Sequence, residues 1–137
     1  MSPILPLSSM NPSIEYPKKK DTPVSFRPFS PAVRVGELIF VSGQASVDSA
    51  GNIIKDTFEG EFRRSMENLK KVLEGADSDL RHVIQTRNYV RDPADVDLYN
   101  KLYREYFSEP FTTRTTLTKC LEGLNYEVEC VAVVKRP

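Results

Sequence analysis

In 137 residues the chain has no tryptophan, one histidine, two cysteines and no excess charge of either sign. Each scarcity removes a class of chemistry. A structural zinc site needs clustered Cys and His ligands, and a Ser/His/Asp triad needs a histidine between nucleophile and acid. Cys120 and Cys130 stand in apolar or β-rich surroundings without C-x-x-C or Cys/His spacing. They are expected to be reduced thiols of a cytoplasmic protein, with no metal and no cofactor. His82, at the start of a β-rich run among charged neighbours, is read as surface or structural. No G-x-G-x-x-G, Walker loop or H-E-x-x-H occurs, so nucleotide-binding and zinc-protease readings lack their phosphate cradle or ligand pair. No segment approaches the roughly 20 apolar residues of a membrane span. The N-terminus has no charged leader followed by an apolar run, so a signal peptide is not expected. Basic and acidic side chains number 19 each and are interspersed, which gives neither nucleic acid nor a membrane surface a broad field to bind.

What is present is ordinary globular material, 39% hydrophobic and 28% charged. The length suits one core and is too short for two comfortable ones. Five of the ten prolines fall in residues 1–23, with Ser8, Ser9 and the run Lys18, Lys19, Lys20. This mixture resists helix and sheet, so 1–23 is read as an extended or flexible arm and 24–137 as a single domain. Three lysines in such an arm are read as solvated.

The domain opens with Ala32–Val35, Gly36-Glu37 and Leu38–Val41, two β-rich runs around a turn whose glycine supplies positive φ. A further short strand is expected after Ser42-Gly43-Gln44, with a turn over Asp48–Asn52. Phe58, Phe62, Met66, Leu69, Val72 and Leu73 recur at helical spacing. Asp56 with Glu59 suggests a capping box for this helix, and Gly75 its end. His82–Val90 reads as a strand. Asp92-Pro93 starts a second helix, with Val96, Tyr99, Leu102, Tyr103 and Tyr106 as its buried stripe. Strands over about Thr113–Cys120 and Tyr126–Val134 follow. The order implies an α+β fold, two helices packed on one face of a sheet.

The last strand alternates Tyr126, Val128, Cys130 and Ala132 with Glu127, Glu129, Val131 and Val133. Both faces therefore carry apolar residues, but two helices cover only one. Self-association supplies the missing cover, so any site is expected between subunits. Three charges on these strands could do chemistry. Glu127 and Glu129 stand roughly 7 Å apart at Cα on one strand face, a poor arrangement for a glycosidase pair, which uses facing elements. Interface ion pairing accounts for Glu129 as well as a functional role does, and accounts less well for Glu127. Arg114, within Phe111-Thr112-Thr113-Arg114-Thr115-Thr116, could grip a carboxylate through two parallel hydrogen bonds; spacing alone favours a structural salt bridge.

Several stretches together resemble the RidA/YjgF family, over about residues 26–135 and in the right order. Val35–Gln44 resembles the family hairpin with its S-G-Q turn. Tyr89-Val90-Arg91-Asp92 and Tyr99-Asn100-Lys101-Leu102-Tyr103 resemble its strand-to-helix segment with its Asn. Arg114-Thr115-Thr116 matches R-[ST]-[TC], and Tyr126–Ala132 matches the closing V-E-I-E-x-I-A strand. The resemblance implies a chorismate-mutase-like fold with a mixed sheet and a homotrimer with clefts between subunits. It further implies hydrolysis of small carboxylated enamines or imines, of the 2-aminoacrylate or 2-aminomuconate kind, to keto acid and ammonia. It assigns Arg114 as carboxylate clamp and Glu127 as the residue that orients water. It places Phe29, Gly43, Asn100 and Thr116 at the substrate, Gly43 and Thr116 through backbone groups. The chain departs from the family in two places. Arg27-Pro28-Phe29-Ser30-Pro31 replaces G-P-Y-[ST]-Q, so Phe29 keeps the ring without its hydroxyl. The L-P-K-[DG] segment before Glu127 is absent, and the spacing is about two residues shorter. These departures keep open a second reading, a non-enzymatic trimer that binds small carboxylates or partner proteins. The family's older endoribonuclease label finds no basic stripe and no histidine pair here.

Overall fold

The computed structural model describes Ile4, Leu5, Asn11 and residues 13–136. Its elements run β1 (Ile14–Glu15), β2 (Ala32–Val35), β3 (Leu38–Ala45), α1 (Phe58–Gly75), β4 (Val83–Val90), α2 (Val96–Tyr106), β5 (Thr113–Thr118) and β6 (Tyr126–Val133). The strands form one sheet in the order β1-β2-β3-β6-β4-β5. β4 and β5 are parallel and every other pair is antiparallel. The parallel pair follows from α2, the crossover between them, since parallel neighbours cannot be joined by a tight turn. The fold is the α+β mixed sheet expected, with both helices on one face.

The core lies between that face and the helices. From α1 come Phe58, Phe62, Met66, Leu69, Val72 and Leu73; from α2 come Tyr99, Leu102 and Tyr103, with Val96 and Tyr106 packed at its margin. Beneath them lie Ile39, Val41, Val90, Tyr126, Val128, Cys130 and Ala132. Phe62 is fully buried, with ring centroids 4.6 Å from Tyr126 and 6.3 Å from Tyr99. Burying such a side chain is worth about 1.5–3 kcal/mol.

The Gly36 turn forms as expected, with φ +59° and Val35 opposite Leu38. Other local expectations are corrected. Ser42-Gly43-Gln44 does not separate two strands but lies within β3, which continues to Ala45 across a register shift between Val41 and Gln44; beyond it only a single bridge, Val47 to Ile53, flanks the expected turn over Asp48–Asn52. Thr57, not Asp56, caps α1, its hydroxyl accepting from the Gly60 amide at 3.1 Å. The carboxylate of Asp56 is taken by the Thr57 amide and the Arg64 guanidinium. Gly75 is the last helical residue rather than a left-handed cap, and Asp77 takes positive φ beyond it. Glycine stands at 75 because a Cβ there would lie 2.2 Å from the Thr22 hydroxyl oxygen. Asp92 caps a single 3-10 turn, Pro93–Asp95, and α2 proper begins only at Val96. β5 ends at Thr118, two residues early, where Lys119 enters positive φ. His82 lies in a 3-10 turn with Nδ1 2.6 Å from the Asp79 carboxylate, a structural role as read.

The arm read over 1–23 falls partly outside the described residues. Within its described part, Ile14 and Glu15 pair with Val35 and Arg34, and Thr22 is buried against Gly75.

The alternation of β6 holds. Tyr126, Val128, Cys130 and Ala132 are buried beneath the helices, while Glu127, Glu129, Val131 and Val133 are half-buried on the open face. Leu38, Phe40 and Leu117, on strands β3 and β5 of the same open face, are 39%, 45% and 49% exposed. No helix among the described residues is long and apolar enough to cross a membrane.

Candidate functional site

The six residues singled out in the sequence fall into two groups on opposite faces of the sheet. Arg114 sits second in β5, level with Thr86 of β4, on the helix side. Its guanidinium carbon lies 4.8 Å from the Tyr99 ring centroid and 5.0 Å from that of Tyr103. Both rings are locked in place by hydroxyl bonds: Tyr99 to Thr116 at 2.8 Å, and Tyr103 to Thr86 at 2.7 Å and Thr112 at 2.5 Å. They form a platform that holds the cation by its attraction to the ring faces, worth about 0.5–2 kcal/mol. Among the described residues Arg114 has no carboxylate partner, so the structural salt bridge favoured by spacing is not formed. It lines a hollow of about 200 Å³ with Asn100, Tyr103, Arg104, Phe111 and Thr112. Asn100 Oδ1, on the same hollow, is buried with no hydrogen-bond donor. A buried acceptor without a partner costs about 1–3 kcal/mol, and a ligand or neighbouring chain that donates to it removes that cost.

Glu127 begins the other group. It faces the open side of β6, level with Ala45 of β3 and Tyr89 of β4. With Phe29 and Gly43 it lines a cleft of about 580 Å³. Its carboxylate lies directly over Gly43, where a Cβ would come 2.6 Å from Oε2. Glycine at this bulged position of β3 is therefore a matter of room. Burial, and then repulsion from Glu129, raise the Glu127 pKa above the ordinary carboxylate value. Glu129 in turn accepts from the Tyr89 hydroxyl at 2.5 Å. That bond, with burial, pushes the Tyr89 pKa up to about 12, so the phenol stays a donor. Phe29 is tied to the same cleft by its neighbours: the Ser42 hydroxyl donates to Ser30 O at 2.6 Å and the Ser42 amide to Pro31 O at 3.0 Å.

The supporting polar groups were not singled out in the sequence. Asn68 of α1 donates to Ala45 O at 2.9 Å and Val47 O at 3.1 Å, and Arg64 donates to the Ser46 hydroxyl at 2.9 Å. These bonds fix the end of β3 and the loop that walls the cleft. Glu61, fully buried, accepts from the Asn125 amide at 2.8 Å and its side chain at 2.7 Å, holding the approach to β6. Its signal was available: a carboxylate between Phe58 and Phe62 on a helix stripe must be paired. Cys130 is buried and Cys120 half-buried, both as free thiols. Burial pushes the Cys130 pKa up to about 12, which makes it a poor nucleophile. No cluster of metal-ligating side chains occurs among the described residues.

A family model described as Endoribonuclease L-PSP matches residues 19–134. A RutC family protein of Pyrococcus abyssi is 31% identical over 126 residues, covering 90% of this chain and 98% of that one. The human 2-iminobutanoate/2-iminopropanoate deaminase is 29% identical over 114 residues, covering 81% and 83%. A Haemophilus influenzae protein, HI0719, superposes with a TM-score of 0.80 at 26% identity, over 90% of this chain and 99% of that one. The extent of the family match, the alignment along nearly the whole domain and the shared fold have one reading: this chain belongs to the RidA/YjgF family, which includes proteins named as imine deaminases.

Proposed function

We propose that the chain assembles as a cyclic homotrimer in which the Arg114 group of one subunit meets the Glu127 group of the next, and that each joint cleft hydrolyses small carboxylated imines. One observation carries this reading. Among the described residues Arg114 has no anion and Glu127 no hydrogen-bond donor, and the two lie on opposite faces of one sheet, so no motion within a protomer unites them. The exposed apolar side chains on the open face supply the surface that association would bury.

In the joint cleft Arg114 holds the substrate carboxylate through two parallel hydrogen bonds. Asn100 and the backbone at Thr116 and Gly43 orient the remainder. An enamine first takes a proton on carbon to become the protonated imine. Glu127 then accepts a proton from water as the water oxygen bonds to the imine carbon, and the electron pair of the C=N bond moves to nitrogen, giving the neutral carbinolamine. The proton held by Glu127 passes to that nitrogen, which leaves as ammonia while the C=O bond forms and the hydroxyl proton returns to Glu127. The imine carbon is already electrophilic, so orientation and general-base help suffice. The free thiols suit a cytoplasmic setting.

The second reading, a trimer that binds carboxylates or partner proteins without turnover, is favoured by Phe29, which brings no hydroxyl to the cleft. One assay separates the two. With 2-aminoacrylate generated in situ, keto acid release is expected to accelerate with wild type and to stay at background with Arg114→Ala. Equal rates would eliminate the deaminase. Gly43→Ala is a finer probe. The added methyl displaces the Glu127 carboxylate by about an ångström, and kcat/KM should fall on the order of 100-fold. Thermal stability should change little, because Gly43 is exposed.

A further inference from the structure

Resting on the deaminase reading, the geometry points to a preference for imines whose side chain is bulky and apolar. Val24, Phe29 and Ile53 are 56%, 49% and 47% exposed, yet all three line the Glu127 cleft. Single exposed apolar residues need no explanation, whereas several converging on one concavity mark a surface that takes an apolar ligand. At about 580 Å³ the cleft is in the range that holds drug-sized molecules. The imine of alanine offers it only a methyl group.

Charge argues against a second carboxylate as the distal group. On this subunit's side of the cleft Asp48, Glu127 and Glu129 face the single base Arg27, and the Arg114 guanidinium brought by the neighbouring copy is already occupied by the substrate's own carboxylate. Asp48 is held by its own turn, accepting from the Ala50 and Asn52 amides at 2.9 Å each. Glu129 is held by Tyr89. A dianionic substrate would meet a field of its own sign, whereas a branched or aromatic side chain would cover Val24, Phe29 and Ile53.

The test compares kcat/KM for imines generated in situ by amino-acid oxidases from leucine, phenylalanine, alanine and glutamate. The leucine and phenylalanine imines should exceed the alanine imine on the order of tenfold or more, because each buried methylene adds to the discrimination of an apolar pocket. Val24→Ser and Ile53→Ser, both at exposed positions, should each lower that ratio severalfold. A lead for the alanine or glutamate imine, or a ratio unmoved in both variants, overturns the inference. Should no imine react faster than with Arg114→Ala, the deaminase reading falls by itself. Binding of the inert keto acids 4-methyl-2-oxopentanoate and pyruvate, followed by NMR, then decides the preference: tighter binding of the first supports it, and equal binding overturns it.

Discussion

Mixing two inactive variants, Arg114→Ala and Glu127→Gln, should restore deaminase activity. In the ring proposed above, each cleft would take its guanidinium from one subunit and its carboxylate from the next, so a cleft flanked by the two intact halves would be fully equipped. With random assembly of equal amounts, about a quarter of the clefts meet that condition. Activity should therefore rise from background to about a quarter of wild type, after co-expression or after joint unfolding and reassembly. The alternative geometry, with both groups serving from one protomer, leaves every cleft of every mixture defective. Keto acid release from the mixture separates the two, and activity that stays at the level of the separate variants refutes the shared cleft. The prediction follows from the strand faces alone: Arg114 shares the face of Tyr99 and Tyr103, whereas Glu127 alternates with the buried Tyr126 and Val128.

A second large effect lies in the pH profile. In the proposed reaction Glu127 must be ionised to accept a proton from water, and burial together with Glu129 raises its pKa. As pH falls through that raised value the base is lost, so kcat/KM should drop on an acid limb set above the ordinary carboxylate range. Glu129→Gln removes the like charge while its amide oxygen still accepts from Tyr89, and the limb should move to lower pH. The direction is independent of Arg114, because only the Glu129 contribution changes. At a pH on the wild-type limb the variant should be several-fold faster, and on the plateau similar. A limb that stays in place would show that another group limits the rate. The limb should be absent from the residual rate of Glu127→Gln.

Much of the fold was written in local patterns. The Gly36 turn, the 3.6-residue stripes of α1 and α2 and the two-residue alternation of β6 each depend on near neighbours, and each formed as expected. Arg114 and Glu127 were readable for a different reason: they sit in motifs that resemble a family. What the sequence did not disclose depends on distant partners. Gly75 resembles a helix cap until Thr22 is seen against it. Asn68 resembles any polar helix residue until it meets the carbonyls of Ala45 and Val47. Thr57 caps the helix in place of Asp56 because the Asp56 carboxylate is taken by the Thr57 amide and by Arg64, two helical turns along the chain. The pair Ile14–Glu15 is too short to announce itself as a strand without the edge of β2 to join.

The close fit of Thr22 on Gly75 gives the far end of α1 a hold on the wall of the Glu127 cleft. Thr22 is moored there by its own hydrogen bonds to Lys19, and Lys19 by its ion pair with Asp77 at 2.7 Å. The chain then runs directly into Pro23, Val24, Ser25, Arg27 and Phe29, which wall the cleft. Position 75 thus acts as a mooring post for that wall. Any side chain larger than hydrogen there would slacken the line and shift the shape of the cleft, without altering a single residue that lines it.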